Sequence, residues 1–281
     1  MSTSTTTLGK TSAQTSPFWQ FSIKFYAVEG VAPACIRLQD EADVDVNLLF
    51  FLLWSATQGR AMSEADVKEL DRSVVDQLKS LPEKLMLRVA RHLVAAGELL
   101  DSDPKTAYQH TLAARGRAGR LAVVREAVGE AAYAAGDYAE ALSELRSAKR
   151  MNGAQDYLAI MADCERALGR PDRALTMLKN ASRENFAPPL LAEVVIVEAG
   201  ARRDRGELDA ALRTLENANL NSKSRAPWVA RLRYAYAETL LAAGRTADAL
   251  EWFHRTEAVD VEEITDAGAR ALEIERSLPK E

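Results

Sequence analysis

Three histidines, two cysteines and one close group of arginines are the residues of this 281-residue chain whose types most readily support chemistry. A metal site needs imidazoles, thiolates or carboxylates spaced so that three or four of them reach one ion. His92, His110 and His254 have no Cys, Asp or Glu at such a spacing, so no resident metal is expected. Cys35 and Cys164 lie far apart, each inside a helical pattern. A cysteine so placed reads first as a small buried hydrophobe and only second as a nucleophile. Two isolated thiols make no disulfide framework and point to a reducing cytoplasm. No glycine loop links a strand to a helix in the manner of a phosphate cradle. Carboxylate pairs such as Glu262-Glu263 read as a solvated helix face. With no catalytic constellation and no cofactor motif, the expectation is a protein that is not an enzyme and carries no cofactor.

The arginine group is Arg115, Arg117, Arg120 and Arg125, within AARGRAGRLAVVRE. Four guanidiniums so close together could contact phosphates or an acidic partner. No aromatic residue interleaves with them, and acidic residues follow at once. Two readings stand: a solvated turn, or a surface for nucleic acid or an acidic partner. The net charge of -5 gives no general pull toward nucleic acid or anionic membrane.

The elements that would position these residues are helices. Glycine (14) and proline (9) are scarce and alanine is abundant, which favours long helices. Residues 1–16 are Ser/Thr-rich with no apolar core and read as a disordered tail rather than a secretory signal. The most apolar run, Leu48 to Trp54, is far shorter than the roughly 20 residues a membrane-spanning helix needs, so no membrane contact is expected. It reads as a buried helix.

Eight of the chain's aromatic residues fall between Phe18 and Trp54, and beyond Trp54 the apolar positions are mostly Ala, Leu and Val. That shift implies two differently packed cores. In the first region a short helix follows Pro17 and ends at Gly30. A second contains Pro33 near its start and carries Cys35, Ile36 and Leu38. Asp45 can cap a third that runs to about Thr57, and Ser63 can start a fourth. The residues Phe18-Trp19, Phe21, Tyr26, Gly30-Val31, Ala34-Cys35, Leu38-Gln39, Asp45-Val46-Asn47 and Trp54 resemble a bacterial family of small helical proteins of unknown function. The resemblance spans about residues 16–71, and it implies no activity.

Downstream the chain repeats itself. Gly-x-x-x-x-Ala-Leu recurs as GDYAEAL at Gly136, GRPDRAL at Gly169, GELDAAL at Gly206 and GRTADAL at Gly244. Seven residues before each glycine stands Gly129, Ala162, Ala199 or Ala237; twelve after it stands Ala148, Ala181, Ala218 or Thr256. The glycine suits a tight turn between two antiparallel helices, and small residues suit their close crossing. Leu142, Leu175, Leu212 and Leu250 then pack between neighbouring helices, and stacking the pairs builds the core. This register resembles tetratricopeptide repeat proteins, particularly bacterial ones of actinobacterial type, across about residues 75–281. The resemblance implies a right-handed α-solenoid and a protein-binding role. Two departures are plain: Arg125, Leu158, Val195 and Arg233 replace the early aromatic, and the closing proline is missing.

Ahead of these pairs, Glu83–Leu100 and Pro104–Ala114 form an atypical pair capped by Asp103; Val261–Leu278 forms a final helix. The expected organisation is therefore all-α: a tail (1–16), a small aromatic-core helical segment (17–80) and the solenoid (82–281). Residues 60–82 contain no Gly/Pro/Ser linker. Either the aromatic segment docks directly on the solenoid's end, or two unrelated sequences meet near Leu70–Val74. Projecting the register places Glu126, Glu130, Tyr133, Asp163, Arg166, Arg203, Arg231, Tyr234 and Glu238 on the concave face. Mixed charge with two tyrosines suits a peptide or partner helix; the same residues also suit a plain solvated face.

Overall fold

The structure is a computed structural model that describes residues 17–42, 44, 46, 49–50, 53 and 70–277. The Ser/Thr-rich tail, Trp54, most of the expected helix from Asp45 to Thr57 and the expected helix start at Ser63 lie outside these residues. Every regular element among the described residues is a helix, and the chain divides into two compact units, residues 1–153 and 154–281.

The first unit begins with α1 (Pro17–Tyr26) and α2 (Val31–Ala42), separated at Gly30, whose φ of +85° suits a residue without Cβ. Next come α3 (Arg72–Leu78), α4 (Glu83–Leu99), α5 (Pro104–Ala118), α6 (Ala122–Ala134) and α7 (Tyr138–Asn152). Asp71 caps α3 by accepting the Ser73 N–H at 2.7 Å, and Asp103 caps α5 through Thr106, with Pro104 in the first turn. Helix α5 runs four residues past the expected end. Its alanine-rich close holds helix, and Arg115 and Arg117 in the last turn suit the negative end of the dipole.

The aromatic segment docks directly on the α4/α5 pair. Cys35 and Phe50 share one buried cluster with Ala95, Ala96 and Leu99 of α4 and Ala107 of α5. Phe50 meets Phe25 and Tyr26 edge-on, with centroids 5.4 and 5.9 Å apart. A second cluster joins Leu78 of α3 to Val89 and Leu93 of α4, Ala114 of α5 and Val124 of α6. Among the described residues, then, apolar surfaces from α1 to α6 meet in these two clusters.

The second unit holds α8 (Leu158–Ala167), α9 (Pro171–Lys179), α10 (Pro188–Asp204), α11 (Leu208–Glu216), α12 (Pro227–Ala242), α13 (Thr246–Glu257) and α14 (Ala267–Ser277). Prolines open α9, α10 and α12, where a missing N–H costs nothing. The last helix starts six residues later than the sequence suggests. Asp260 instead collects the Ile264 and Thr265 N–H groups and the Thr265 hydroxyl, which fixes a loop before it. Ala267, Ala271 and Ile274 of α14 then close the cluster around Phe253.

All four repeat glycines adopt φ between +72° and +83°. At each, the glycine N–H bonds the carbonyl three residues back and the next N–H bonds the carbonyl five residues back. Gly136 to Tyr133 with Asp137 to Ala132 is the first instance, and Gly244 to Leu241 with Arg245 to Leu240 the last. This pair of hydrogen bonds is the Schellman closure, which wants a left-handed residue. Five residues beyond, Ala141, Ala174, Ala211 and Ala249 are fully buried at the crossing. Nine beyond, Leu145, Leu178, Leu215 and Phe253 form a buried column the motif itself does not advertise. In α6 the fit is tightest: a Cβ on Gly129 would lie 2.5 Å from Leu145 Cδ2.

Candidate partner-binding surfaces

The nine residues nominated for the first-helix face divide between the units. Glu126, Glu130 and Tyr133 lie on α6; the other six lie on α8, α10 and α12. In the first unit Asn152 donates to Glu126 Oε1 at 2.6 Å, and Tyr133 meets Tyr138 edge-on at 5.7 Å. Glu130 is half-buried.

In the second unit the nominated charges form a ladder between successive first helices. Arg166 of α8 donates to Asp204 of α10 at 2.8 Å and to its neighbour Asp163 at 2.6 Å. Arg231 of α12 donates to Glu193 of α10 at 2.8 Å, and Arg270 of α14 donates to Glu238 of α12 at 2.9 Å. Gly200 makes room for the first rung, since a Cβ there would sit 2.5 Å from Arg166 Cζ. Tyr234 packs edge-on against the buried Phe253 at 5.6 Å; burial, and then its hydrogen bond to Asp266, push its hydroxyl well above the usual tyrosine range. Arg203 has no ion-pair partner among the described residues. The sequence register nominated these side chains for one face. Their pairing across roughly one repeat, as in Arg166 with Asp204, depends on helix spacing that the sequence does not state.

Of the arginine group, Arg120 lies in an exposed turn and the other three lie on helices, Arg115 and Arg117 on α5 and Arg125 on α6. Arg125 grips Glu144 through both carboxylate oxygens at 2.9 and 2.8 Å and donates to the Gly119 carbonyl. Arg115 reaches Glu144 and also Glu140, whose hydrogen bond raises the guanidinium above its ordinary range. Glu144 is buried, so these two cations neutralise an internal carboxylate rather than face outward. Arg117 donates to the Ala113 carbonyl.

Arg125 also heads the column in which the early aromatic is absent, and each repeat fills that slot differently. Leu158 fills it as a buried aliphatic. Arg233 turns inward and donates to the carbonyls of Leu220, Ser222 and Arg255 at 2.9, 2.9 and 3.0 Å, with burial drawing its pKa below the usual arginine range. Val195 is the short member and opens a cavity of about 760 Å³ beside α10.

Two histidines far apart in sequence also meet: His92 and His110 are buried in α4 and α5 with their Nδ1 atoms 3.0 Å apart. One ring must donate and the other accept. Among the described residues, no group of three or more His, Cys, Asp or Glu side chains gathers around a common point, and no helix is long and apolar enough to cross a membrane. Cys35 and Cys164 are buried free thiols.

Helix pairs closed by identical glycine turns define the class of helical-repeat proteins. The tetratricopeptide repeat family matches residues 80–264, and the chain belongs to it. Residues 17–123 also match a family described as a protein of unknown function (DUF2390), a longer stretch than the residue-level resemblance near the N-terminus. The two matches overlap on residues 80–123, where the aromatic segment packs. Among solved structures, a thermophilic tetratricopeptide repeat protein of Thermus thermophilus is similar with a TM-score of 0.54 and 19% identity, covering 67% of this chain and 99% of that one. That likeness concerns the fold. No curated protein matches the chain.

Proposed function

We propose that the chain is a non-enzymatic scaffold that holds a peptide or partner helix along the face of its first helices, the concave side in this repeat class. The ion-pair ladder of α8, α10, α12 and α14 carries the reading. It leaves a mixed-charge, partly exposed surface whose long side chains are already ordered before a partner arrives, which lowers the entropy cost of binding. Its charges can exchange internal pairs for external ones. The buried thiols suit a reducing cytoplasm, where a fluorescent fusion should distribute. Residues 17–80 serve on this reading as the cap of the repeats, so residues 82–281 expressed alone should aggregate.

The test is affinity capture of partners by the full chain and by Arg203→Glu with Arg231→Glu. Tyr234→Ala is less useful, because Tyr234 packs on Phe253 and its loss would disturb folding. Partners should be lost from the charge-reversed chain while its melting temperature stays within a few degrees. An identical captured set from both chains would overturn the assignment of this face.

A further inference from the structure

Helix α10 carries a second surface on its other side. Leu191, Val195, Glu198 and Arg202 recur at helical spacing on one stripe, away from Glu193 and Asp204 of the ladder. This stripe floors the 760 Å³ cavity. The walls come from inter-repeat loops, residues 180–187 and 217–226, and from the start of α12. Those loops hold the extra residues that lengthen the intervals between Gly169, Gly206 and Gly244. The cavity therefore has two local causes: a valine where the repeat usually places a ring, and loops long enough to wall the space it leaves.

The lining has two chemistries. Phe186, Leu191 and Trp228 supply an apolar end, and Leu191 is exposed within it. At the other end Arg183 and Arg202 share one carboxylate: Arg183 donates to Glu198 at 2.8 Å and Arg202 at 3.1 Å. In the cavity lining itself two guanidiniums face one carboxylate, while Glu207 outside the lining lies 3.9 Å from Arg202 and pairs with Arg205 at 2.8 Å. Arg202 Nε is buried and has no acceptor among the described residues. A buried donor without an acceptor is costly, and an incoming carboxylate would satisfy it with a charge-assisted bond. The same three charged residues also border an adjoining recess of about 800 Å³, in which Arg205 is paired with Asp172. The cationic end is thus reachable from two sides.

We propose that this cavity is a docking site for a segment of a partner protein that presents a bulky apolar side chain beside a carboxylate. The apolar group occupies the space next to Val195 and Trp228, and the carboxylate takes the Arg202 Nε and neighbouring guanidinium donors. The size lies within the range of cavities that enclose ligands of a few residues. The proposal rests on the scaffold reading above, but it places specific recognition off the first-helix face.

The full chain is titrated with an array of labelled hexapeptides in which Phe, Trp or Leu adjoins Asp or Glu, each beside its Asn or Gln twin. At least one acidic peptide should bind about tenfold more tightly than its amide twin, as expected for one charge-assisted hydrogen bond. Arg202→Gln should erase that preference. Val195→Trp, which fills the cavity, should abolish binding of both twins without lowering the melting temperature. Equal binding of acid and amide twins, binding that survives Val195→Trp, or no binding at millimolar peptide would each overturn the proposal. Partners captured by the full chain separate the two readings. Partners lost with Arg203→Glu and Arg231→Glu but kept with Val195→Trp leave the scaffold standing and remove this site.

Discussion

The α6/α7 and α10/α11 pairs share one register and one turn, yet they treat the same interior slot in opposite ways. In the first, Arg125 occupies it and, with Arg115, encloses the buried carboxylate of Glu144. In the second, Val195 leaves it open, and two lengthened loops wall the resulting space. The α12/α13 pair takes a third course, with Arg233 tied to three carbonyls. The lesson concerns what a repeat requires. The crossing of its helices, set by Gly129, Ala162, Ala199 or Ala237 against the buried alanines, tolerates no bulk. The slot beside the crossing accepts a charge, an aliphatic group or a void, provided the surroundings adapt.

Substitutions can strain that contrast, and the largest expected effect is at Arg233. Arg233→Ala strands three carbonyls and should destabilise the chain by about 3 kcal/mol in urea unfolding. A loss near zero would mean the loop at 217–226 is held by other contacts. Next comes Glu144→Ala, which leaves Arg115 and Arg125 facing each other. A partner removed from a buried ion pair costs several kcal/mol, but these guanidiniums keep partial exposure, so about 2 kcal/mol is expected. Glu144→Gln should recover part of it. Gly129→Ala should cost about 1–2 kcal/mol through the contact with Leu145, although three other repeats carry alanine in the same column. A neutral result there would show that the α6/α7 crossing is as roomy as the others. Val195→Trp reverses the sign: burying a ring in the open slot should leave stability unchanged or raise it by about 1 kcal/mol, read from the melting temperature. A clear loss would show the space too shallow for a ring. Arg231→Ala removes a half-exposed rung of the ladder and should change stability by about 0.5 kcal/mol or less.

Much of the fold was legible because its determinants are local. Gly136, Gly169, Gly206 and Gly244 announce left-handed turns, and Asp103 with Pro104 announces a helix start. Ends decided by side-chain capture were harder. Asp260 holds the residues that continue the amphipathic pattern of α14 in a loop, and the arginines after Ala114 extend α5 rather than break it. The candidate surface was legible only as a list of residues on one side of the first helices. Which charges pair with one another, as Arg166 does with Asp204, follows from distances between helices 38 residues apart in sequence. The cavity was hidden for the same reason. A valine in place of an aromatic was visible at position 195, but whether the neighbours collapse onto it depends on loops whose conformation the pattern does not encode. His92 and His110 likewise meet only because α4 and α5 pack.

The identical glycine turns impose a division of labour on each helix pair. One end of the pair is closed by a backbone motif that admits almost no variation in length or residue type. The opposite end is where the intervals stretch from 33 to 38 residues between successive glycines. The residues added between Gly169, Gly206 and Gly244 therefore fall in the loops at 180–187 and 217–226 and leave the helix crossings undisturbed. Such a design lets loop length vary at one end of a helix pair while the packing beneath is inherited intact.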